Sequence, residues 1–142
     1  MKKNIKNLFN LKNKVVVITG GSGFLGSEFS FALSETGAIP VILDKNDKSL
    51  KILQRKFIKM KRKGSFFLVN INEEKNVNEI VSLIIKKYKK IDCLINAAVF
   101  NVHDMIENKT KVFEKFEKYD FKLWQQSLNG HLSGTFIVTK SV

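Results

Sequence analysis

The residues with the most direct chemical potential form a glycine-rich segment, Thr19 to Gly26, of sequence TGGSGFLG. It lies between a short apolar run and a helical pattern, and three of its glycines recur at every third position. In this setting the first glycine allows a tight turn, the second lets the backbone approach a pyrophosphate, and the third lets a helix pack closely on a strand. Free N–H groups at the helix start would then face the anion. The predicted phosphate-binding residues are Gly20, Ser22, Gly23, Phe24, Leu25 and Gly26.

An acidic residue closes the next apolar run. Asp44 follows Gly26 by eighteen residues, and a carboxylate at that place can accept hydrogen bonds from the adenosine ribose hydroxyls of a dinucleotide. The same charge would repel a 2′-phosphate, so the sequence favours NAD over NADP as the cofactor. The neighbouring Lys45 is the one feature that would suit NADP.

Four short apolar runs and the helical patterns between them must position these residues. We predict strands at 15–18, 40–43, 66–69 and 91–95. Strands that alternate with helices of ten or more residues predict right-handed crossovers and a parallel sheet. The expected fold is α/β, a Rossmann-type doubly wound parallel sheet, in a single domain that spans residues 1–142.

Apolar residues at helical spacing predict which face each helix buries. The third helix is expected to begin at an Asn72 cap, and the last helix is expected to run without interruption from Asp120 to Val138. The predicted inward faces are Leu25, Phe29, Ala32 and Leu33 for the first helix, Leu50, Leu53, Phe57 and Met60 for the second, and Val77, Ile80, Val81, Ile84 and Tyr88 for the third.

The composition is that of a globular domain, with 44% apolar and 27% charged residues. The net charge of +12 invites a nucleic-acid or anionic-membrane interpretation, but only two of the basic residues are Arg, the residue best suited to bidentate phosphate recognition. We therefore expect no nucleic-acid or membrane partner and no metal site. The lone Cys93 is expected to be buried, in a reducing compartment. The sequence shows no signal peptide or membrane span, and the default location is the cytoplasm.

Beyond the glycine-rich turn, several segments resemble the short-chain dehydrogenase/reductase family. Asn70-Ile71 is similar to the family's Asp-apolar pair, which contacts the adenine. Asn96-Ala97-Ala98-Val99 resembles the Asn-Asn-Ala-Gly segment that lines the nicotinamide ribose. Trp124 and the 131–136 segment are similar to the family's fifth helix. The resemblance implies an NAD(P)-dependent oxidoreductase that transfers hydride between nicotinamide and a carbonyl or alcohol, such as a sugar or a surface-sugar precursor.

Two departures from the family pattern concern catalysis. His131 occupies the position where the family usually carries an Asn that holds a water in a proton relay, and an imidazole could serve there. The family's catalytic Tyr-x-x-x-Lys does not occur in this chain. We therefore expect the chain to be the N-terminal, cofactor-binding part of a longer protein, truncated before the Ser, Tyr and Lys of the catalytic centre.

Other interpretations stay open at this point. Trp124 and Asn96 favour the classical branch of the family, whereas the spacing of Gly20, Gly23 and Gly26 is more typical of the extended branch, the sugar-nucleotide epimerases and dehydratases. A non-catalytic NAD-binding module is a further alternative. The resemblance also implies a small-molecule substrate and a homo-oligomer.

Overall fold

The computed structural model describes residues 10–99 and 115–142. Its centre is a parallel sheet in the order β3-β2-β1-β4. The strands are β1 (Val15–Thr19), β2 (Ile39–Asp44), β3 (Ser65–Leu68) and β4 (Cys93–Asn96). Strand order reverses between β1 and β4, so the predicted doubly wound α/β fold is confirmed.

Five α-helices accompany the sheet in the described residues. They are α1 (Phe24–Glu35), α2 (Asp47–Lys59), α3 (Glu74–Tyr88), α4 (Phe121–Leu128) and α5 (Gly134–Ser141). A short 3-10 helix (Phe116–Lys118) precedes α4, and a π-helical turn (Asn129–Ser133) joins α4 to α5. None of these helices combines the length and the apolar character needed to cross a membrane.

The core lies on both faces of β1, because successive side chains of a strand point to opposite sides. Val15 and Val17 pack in one cluster with residues of α3 and with Val138 of α5. Val16 and Ile18 face the other side, in a cluster that includes Leu33 of α1. Every residue of β1 is buried. This burial on both faces explains why the strand is a continuous apolar run rather than an alternating one.

The predicted inward face of α1 is wrong at three of its four residues. Leu25 is 60% exposed, Phe29 is 40% exposed and Ala32 is exposed, whereas Leu33 packs against the core as predicted. The buried residues of the helix are Gly26 and Ser30. The helix is close enough to the preceding turn that only small residues fit there. Ser30 Oγ lies 2.7 Å from Gly26 O and 3.3 Å from Gly21 O, which satisfies this buried hydroxyl.

The ends of α2 and α3 also differ from expectation. The second helix ends at Lys59, so Met60 is its half-exposed cap rather than part of its buried face. The cap of α3 is Glu73 and not Asn72, and no side chain caps this helix. The predicted buried stripe of α3 is confirmed, with Val77, Val81 and Ile84 in the core.

Two further expectations were wrong. The last helix begins after an Asp120 cap as predicted, but the π-helical turn interrupts it before α5. Cys93 is exposed rather than buried. It begins β4, which in the described residues pairs only with β1 and therefore forms an edge of the sheet.

A carboxylate joins the starts of β1 and β4. Asp92 accepts hydrogen bonds from Lys14 Nζ at 2.8 Å and from the backbone N–H of Val15 at 2.9 Å, and Lys90 Nζ lies 2.7 Å away. The Lys14 contact, followed by those from Lys90 and Val15, holds the pKa of Asp92 far below its ordinary value. Asp92 therefore stays ionised in the folded state at pH values where an unfolded chain would be protonated.

We expect Asp92→Asn to lower the midpoint temperature of unfolding at neutral pH, because the amide cannot replace the ionised acceptor. A depressed folded-state pKa gives stability that is present above the ordinary carboxyl pKa, near 3.8, and is lost as the pH falls toward the folded-state pKa. Thermal unfolding followed by circular dichroism should show the wild-type advantage shrinking below about pH 4. Asp47→Asn removes an exposed carboxylate and is the control; an equal loss in both variants would contradict the assignment.

Candidate dinucleotide site

The carboxyl ends of all four strands meet at one edge of the sheet. Thr19, Asp44 and Asn96 are the last residues of β1, β2 and β4, and Asn70 follows β3 by two residues. The glycine-rich turn begins at the end of β1, between the ends of β2 and β4. The edge therefore brings together the polar residues that the sequence singled out, at the place where doubly wound sheets bind ligands.

The glycine-rich turn is shaped by backbone contacts that exclude side chains. Gly20 has a φ of +61°, and a Cβ on it would lie 2.7 Å from Ala98 Cα. A Cβ on Gly26 would overlap the carbonyl oxygen of Gly20. The N–H of Gly23 donates to that same oxygen at 3.0 Å and closes the turn. Gly20 and Gly26 are thus required by close approach, as the spacing predicts.

The N-terminus of α1 has no side-chain cap. Its N-cap residue is Gly23, which brings no polar side chain, and Phe24 and Leu25 in the first turn are exposed. The first N–H groups of a helix have no partner within the helix, and the helix dipole favours negative charge there. This arrangement leaves room for an anion where most helices place a Ser, Thr, Asp or Asn.

Asp44 lies beside that helix end and is held by the turn. Its carboxylate accepts hydrogen bonds from the backbone N–H of Ser22 at 3.0 Å, from Ser22 Oγ at 2.6 Å, and from the N–H of Asn46 at 3.0 Å. The residue is only 9% exposed. A buried carboxylate with three donors is fixed in orientation, so it is not merely a solvated turn residue.

Ser49 supports this group and was missed in the sequence analysis. Its Oγ lies 2.7 Å from Ser22 Oγ. The Ser22 hydroxyl donates its one proton to Asp44, so it can only accept from Ser49, whose Oγ also lies 3.1 Å from Asn46 O. The available signal was the position of Ser49 in the first turn of α2, where the Asn46 side chain accepts from its N–H.

Thr19 is the second residue that was missed. Its buried Oγ1 accepts hydrogen bonds from the N–H groups of both Ala97 and Ala98, each at 3.2 Å. The side chain therefore ties the segment after β4 to the end of β1. The only sequence signal was a hydroxyl residue at the end of an otherwise apolar strand.

The Asn70-Ile71 segment is held by the residues that lead into α3 and by α5. Asn70 Oδ1 accepts from the N–H of Asn72 at 3.2 Å, and Asn70 Nδ2 donates to Glu73 at 3.1 Å. Gly134 of α5 packs against this segment, where an added Cβ would lie 2.6 Å from Ile71 Cδ1. The structure thus places Asn70 and Ile71 at the predicted edge and explains why Gly134 has no side chain.

Asn96 lies on the side of the edge nearest to α5, whereas no contact joins His131 to the described site residues. Asn96 Nδ2 donates to Thr139 Oγ1 of α5 at 3.2 Å. His131 is exposed and lies in the π-helical turn between α4 and α5. π-helical turns are rare and are often found at functional positions. Among the described residues, no group of His, Cys, Asp and Glu is arranged to hold a metal ion.

Comparison with known proteins agrees with this geometry. Residues 14–142 match the short chain dehydrogenase family. The NAD-dependent glycerol dehydrogenase of Listeria innocua is 27% identical over 138 residues, which cover 94% of this chain and 48% of that protein. The L-fucose dehydrogenase of Bos taurus is 28% identical over 128 residues, covering 89% of this chain and 42% of that protein.

The fold also matches solved structures. The crystal structure of NAD+-bound xylitol dehydrogenase superposes with a TM-score of 0.81 at 23% identity, covering 93% of this chain and 47% of that one. At this identity the similarity supports the fold alone. The chain spans about half the length of the curated relatives that it matches.

We expect Thr19→Val to destabilise the protein, because the substitution keeps the shape of the side chain but leaves the N–H groups of Ala97 and Ala98 without an acceptor. Each unsatisfied group costs roughly 1–3 kcal/mol when buried, and the half-buried positions here suggest about 2 kcal/mol in total. Urea unfolding would measure the loss. Thr19→Ser should restore most of it, whereas Thr36→Val, at an exposed helix end, is the control. A Thr19→Val protein as stable as wild type would contradict the tether.

Proposed function

Because this chain belongs to the short chain dehydrogenase family, we propose that its carboxyl-edge site binds NAD. We further propose that the whole protein is an oxidoreductase that transfers hydride between the nicotinamide and a small-molecule carbonyl or alcohol. The supporting observation is the uncapped N-terminus of α1 beside the fixed carboxylate of Asp44. A pyrophosphate and an adenosine ribose require these two features at neighbouring positions.

We propose that the residues at the edge contact the parts of the dinucleotide in the following order. The turn from Gly20 to Gly26, including Ser22, Phe24 and Leu25, would hold the pyrophosphate through its backbone N–H groups. Asp44 would accept from the ribose hydroxyls, and its negative charge favours NAD over NADP. Asn70 and Ile71 would flank the adenine. Asn96, Ala97 and Ala98, which Thr19 holds in place, would line the nicotinamide ribose.

When bound, the nicotinamide supplies the acceptor or donor of hydride, and the chain must supply the proton transfer. His131 is our candidate for a proton relay, because an imidazole can donate or accept near neutral pH. The 142 residues contain no Tyr-x-x-x-Lys. We propose that a catalytic Tyr and Lys lie in sequence that follows residue 142, and sequencing the gene past that codon would test this. A stop codon there would instead favour a non-catalytic NAD-binding module.

The substrate class that we propose is a polyol or sugar. Two relatives are named as dehydrogenases of glycerol and L-fucose, which supports this class. The main alternative is an extended-type sugar-nucleotide epimerase or dehydratase, which the spacing of Gly20, Gly23 and Gly26 favours. We also propose a cytoplasmic homo-oligomer.

We expect Asp44→Ala to weaken NAD binding by about 10- to 100-fold, because hydrogen bonds to a charged acceptor contribute roughly 1.5–3 kcal/mol. Binding of NADP should weaken less or improve, because the repulsive charge is gone. Isothermal titration calorimetry with both cofactors measures the two affinities. The control is Asp47→Ala, which removes an exposed carboxylate three residues further on. Unchanged affinity for both cofactors in Asp44→Ala would exclude Asp44 from the ribose site.

We expect His131→Ala, in the full-length oxidoreductase, to lower kcat by roughly 10²-fold while the Kd for NAD changes little. His131→Asn should recover much of the turnover, because an amide can also hold a relay water. Steady-state kinetics measures kcat, and calorimetric titration measures the Kd for NAD. Equal loss in the two variants, or full activity in His131→Ala, would contradict the relay.

A further inference from the structure

The edge of the sheet opposite the proposed cofactor site carries a dense set of cations. Strands of a parallel sheet begin at this edge, and the helices that cross back end there, so residues before strands and in last helical turns share it. Eleven of the chain's 25 basic residues have such positions. The amino-edge set comprises Lys12, Lys14, Lys56, Lys59, Lys61, Arg62, Lys63, Lys86, Lys87, Lys89 and Lys90.

Contacts between separate elements place three of these residues, Lys14, Arg62 and Lys90, at the same edge. Lys14 and Lys90 both contact Asp92, which links the starts of β1 and β4. Arg62, before β3, pairs with Glu35 at the end of α1. Glu35 and Asp92 are the two carboxylates that we find at this edge in the described part of the chain. They leave a large excess of positive charge.

Two of these lysines have left-handed backbone geometry at helix ends. Lys61, after the cap of α2, has a φ of +53°, and Lys89, the cap of α3, has a φ of +64°. Glycine is the favoured residue in this left-handed conformation at a helix end, because a Cβ is strained there. Both helices thus end on an exposed lysine where glycine would fit the backbone better.

Apolar side chains are exposed among the same cations. Ile58 is 69% exposed and Met60 is 49% exposed, and they lie next to Lys59 and Lys61. Apolar side chains interleaved with lysines suit the boundary between lipid head groups and acyl chains, where the charges meet phosphates and the apolar groups leave water.

Contrary to the sequence-based expectation of no membrane partner, we propose that the amino edge docks the protein on a bilayer surface that contains anionic lipids. The attractions of several lysines to the negatively charged membrane surface add together, and Ile58 and Met60 enter the interface between lipid head groups and acyl chains. The strands separate the two edges by about 16 Å. Docking in this way leaves the carboxyl edge facing the solvent, so dinucleotide binding and lipid binding do not compete. The proposal does not depend on the oxidoreductase assignment.

A nucleic acid is the less favoured polyanion. Recognition of phosphates and bases favours Arg, and the one Arg of the amino-edge set is already paired with Glu35. Binding of single strands also favours exposed aromatic rings for stacking. The aromatic residue of the described amino edge, Tyr88, is half-buried, and Lys87 Nζ lies 5.0 Å from its ring centroid. Exposed aliphatic groups, by contrast, suit a lipid interface.

Co-sedimentation of the full-length protein with vesicles tests the proposal. Phosphatidylcholine vesicles with phosphatidylglycerol added should bind the protein in a salt-sensitive manner, and pure phosphatidylcholine vesicles should not. The double variant Lys61→Gly/Lys89→Gly removes two charges and relieves the backbone strain. We expect it to bind anionic vesicles roughly thirtyfold more weakly, with a midpoint temperature of unfolding no lower than that of wild type. A fold defect would therefore not explain the loss.

Matched control variants show whether vesicle binding depends on the amino edge itself or only on net charge and exposed apolar side chains. Lys75→Gln/Lys122→Gln removes two exposed lysines from the first turns of α3 and α4, and Ile52→Ser matches Ile58→Ser from the middle of α2. Ile58→Ser alone should weaken binding at raised salt. Equal loss in the control variants would overturn the proposal, as would absence of anionic-vesicle binding. The proposal would be overturned in favour of a nucleic acid if the wild-type protein bound single-stranded RNA but not vesicles and the Lys61→Gly/Lys89→Gly variant lost the RNA binding.

Discussion

The backbone of α1 lies so close to the carbonyl oxygen of Gly20 that a side chain at Gly26 would overlap this oxygen. This approach sets the position of the helix start and the path of the turn before it. It also brings the N–H and hydroxyl of Ser22 to the end of β2, where they hold the Asp44 carboxylate. The uncapped helix end and the fixed Asp44 carboxylate are therefore consequences of one backbone contact, and each loses its place if the helix moves outward.

The sequence predicted the sheet well, because β1 and β2 are buried on both faces and the partly buried β3 and β4 are also short, mostly apolar runs. It predicted the inward face of α1 poorly. The helix contacts the turn through Gly26 and the small Ser30, and its large apolar residues Leu25 and Phe29 are exposed, so hydrophobic periodicity indicated the wrong face. Periodicity detects burial by large side chains and does not detect contacts made by the backbone.

The same distinction separates the site residues that could be predicted from those that could not. Glycine spacing and the position of Asp44 follow from local chain geometry, and both lie where the sequence suggested. Thr19 and Ser49 act through partners that are distant along the chain, Ala97 and Ala98 for the first and Ser22 for the second. Such pairings depend on how the strands are ordered in space, which a linear pattern does not contain.

The π-helical turn at Asn129–Ser133 makes the effect of a deletion depend on where it falls. A π turn accommodates an extra residue within a helix, so removing one residue there would let α4 and α5 merge into a continuous α-helix that keeps the orientation of α5. Each residue of a regular α-helix adds a rotation of about 100°. A deletion within α5 before Val138 would therefore turn this fully buried side chain away from the core. The turn can lose a residue far more readily than the helix that follows it.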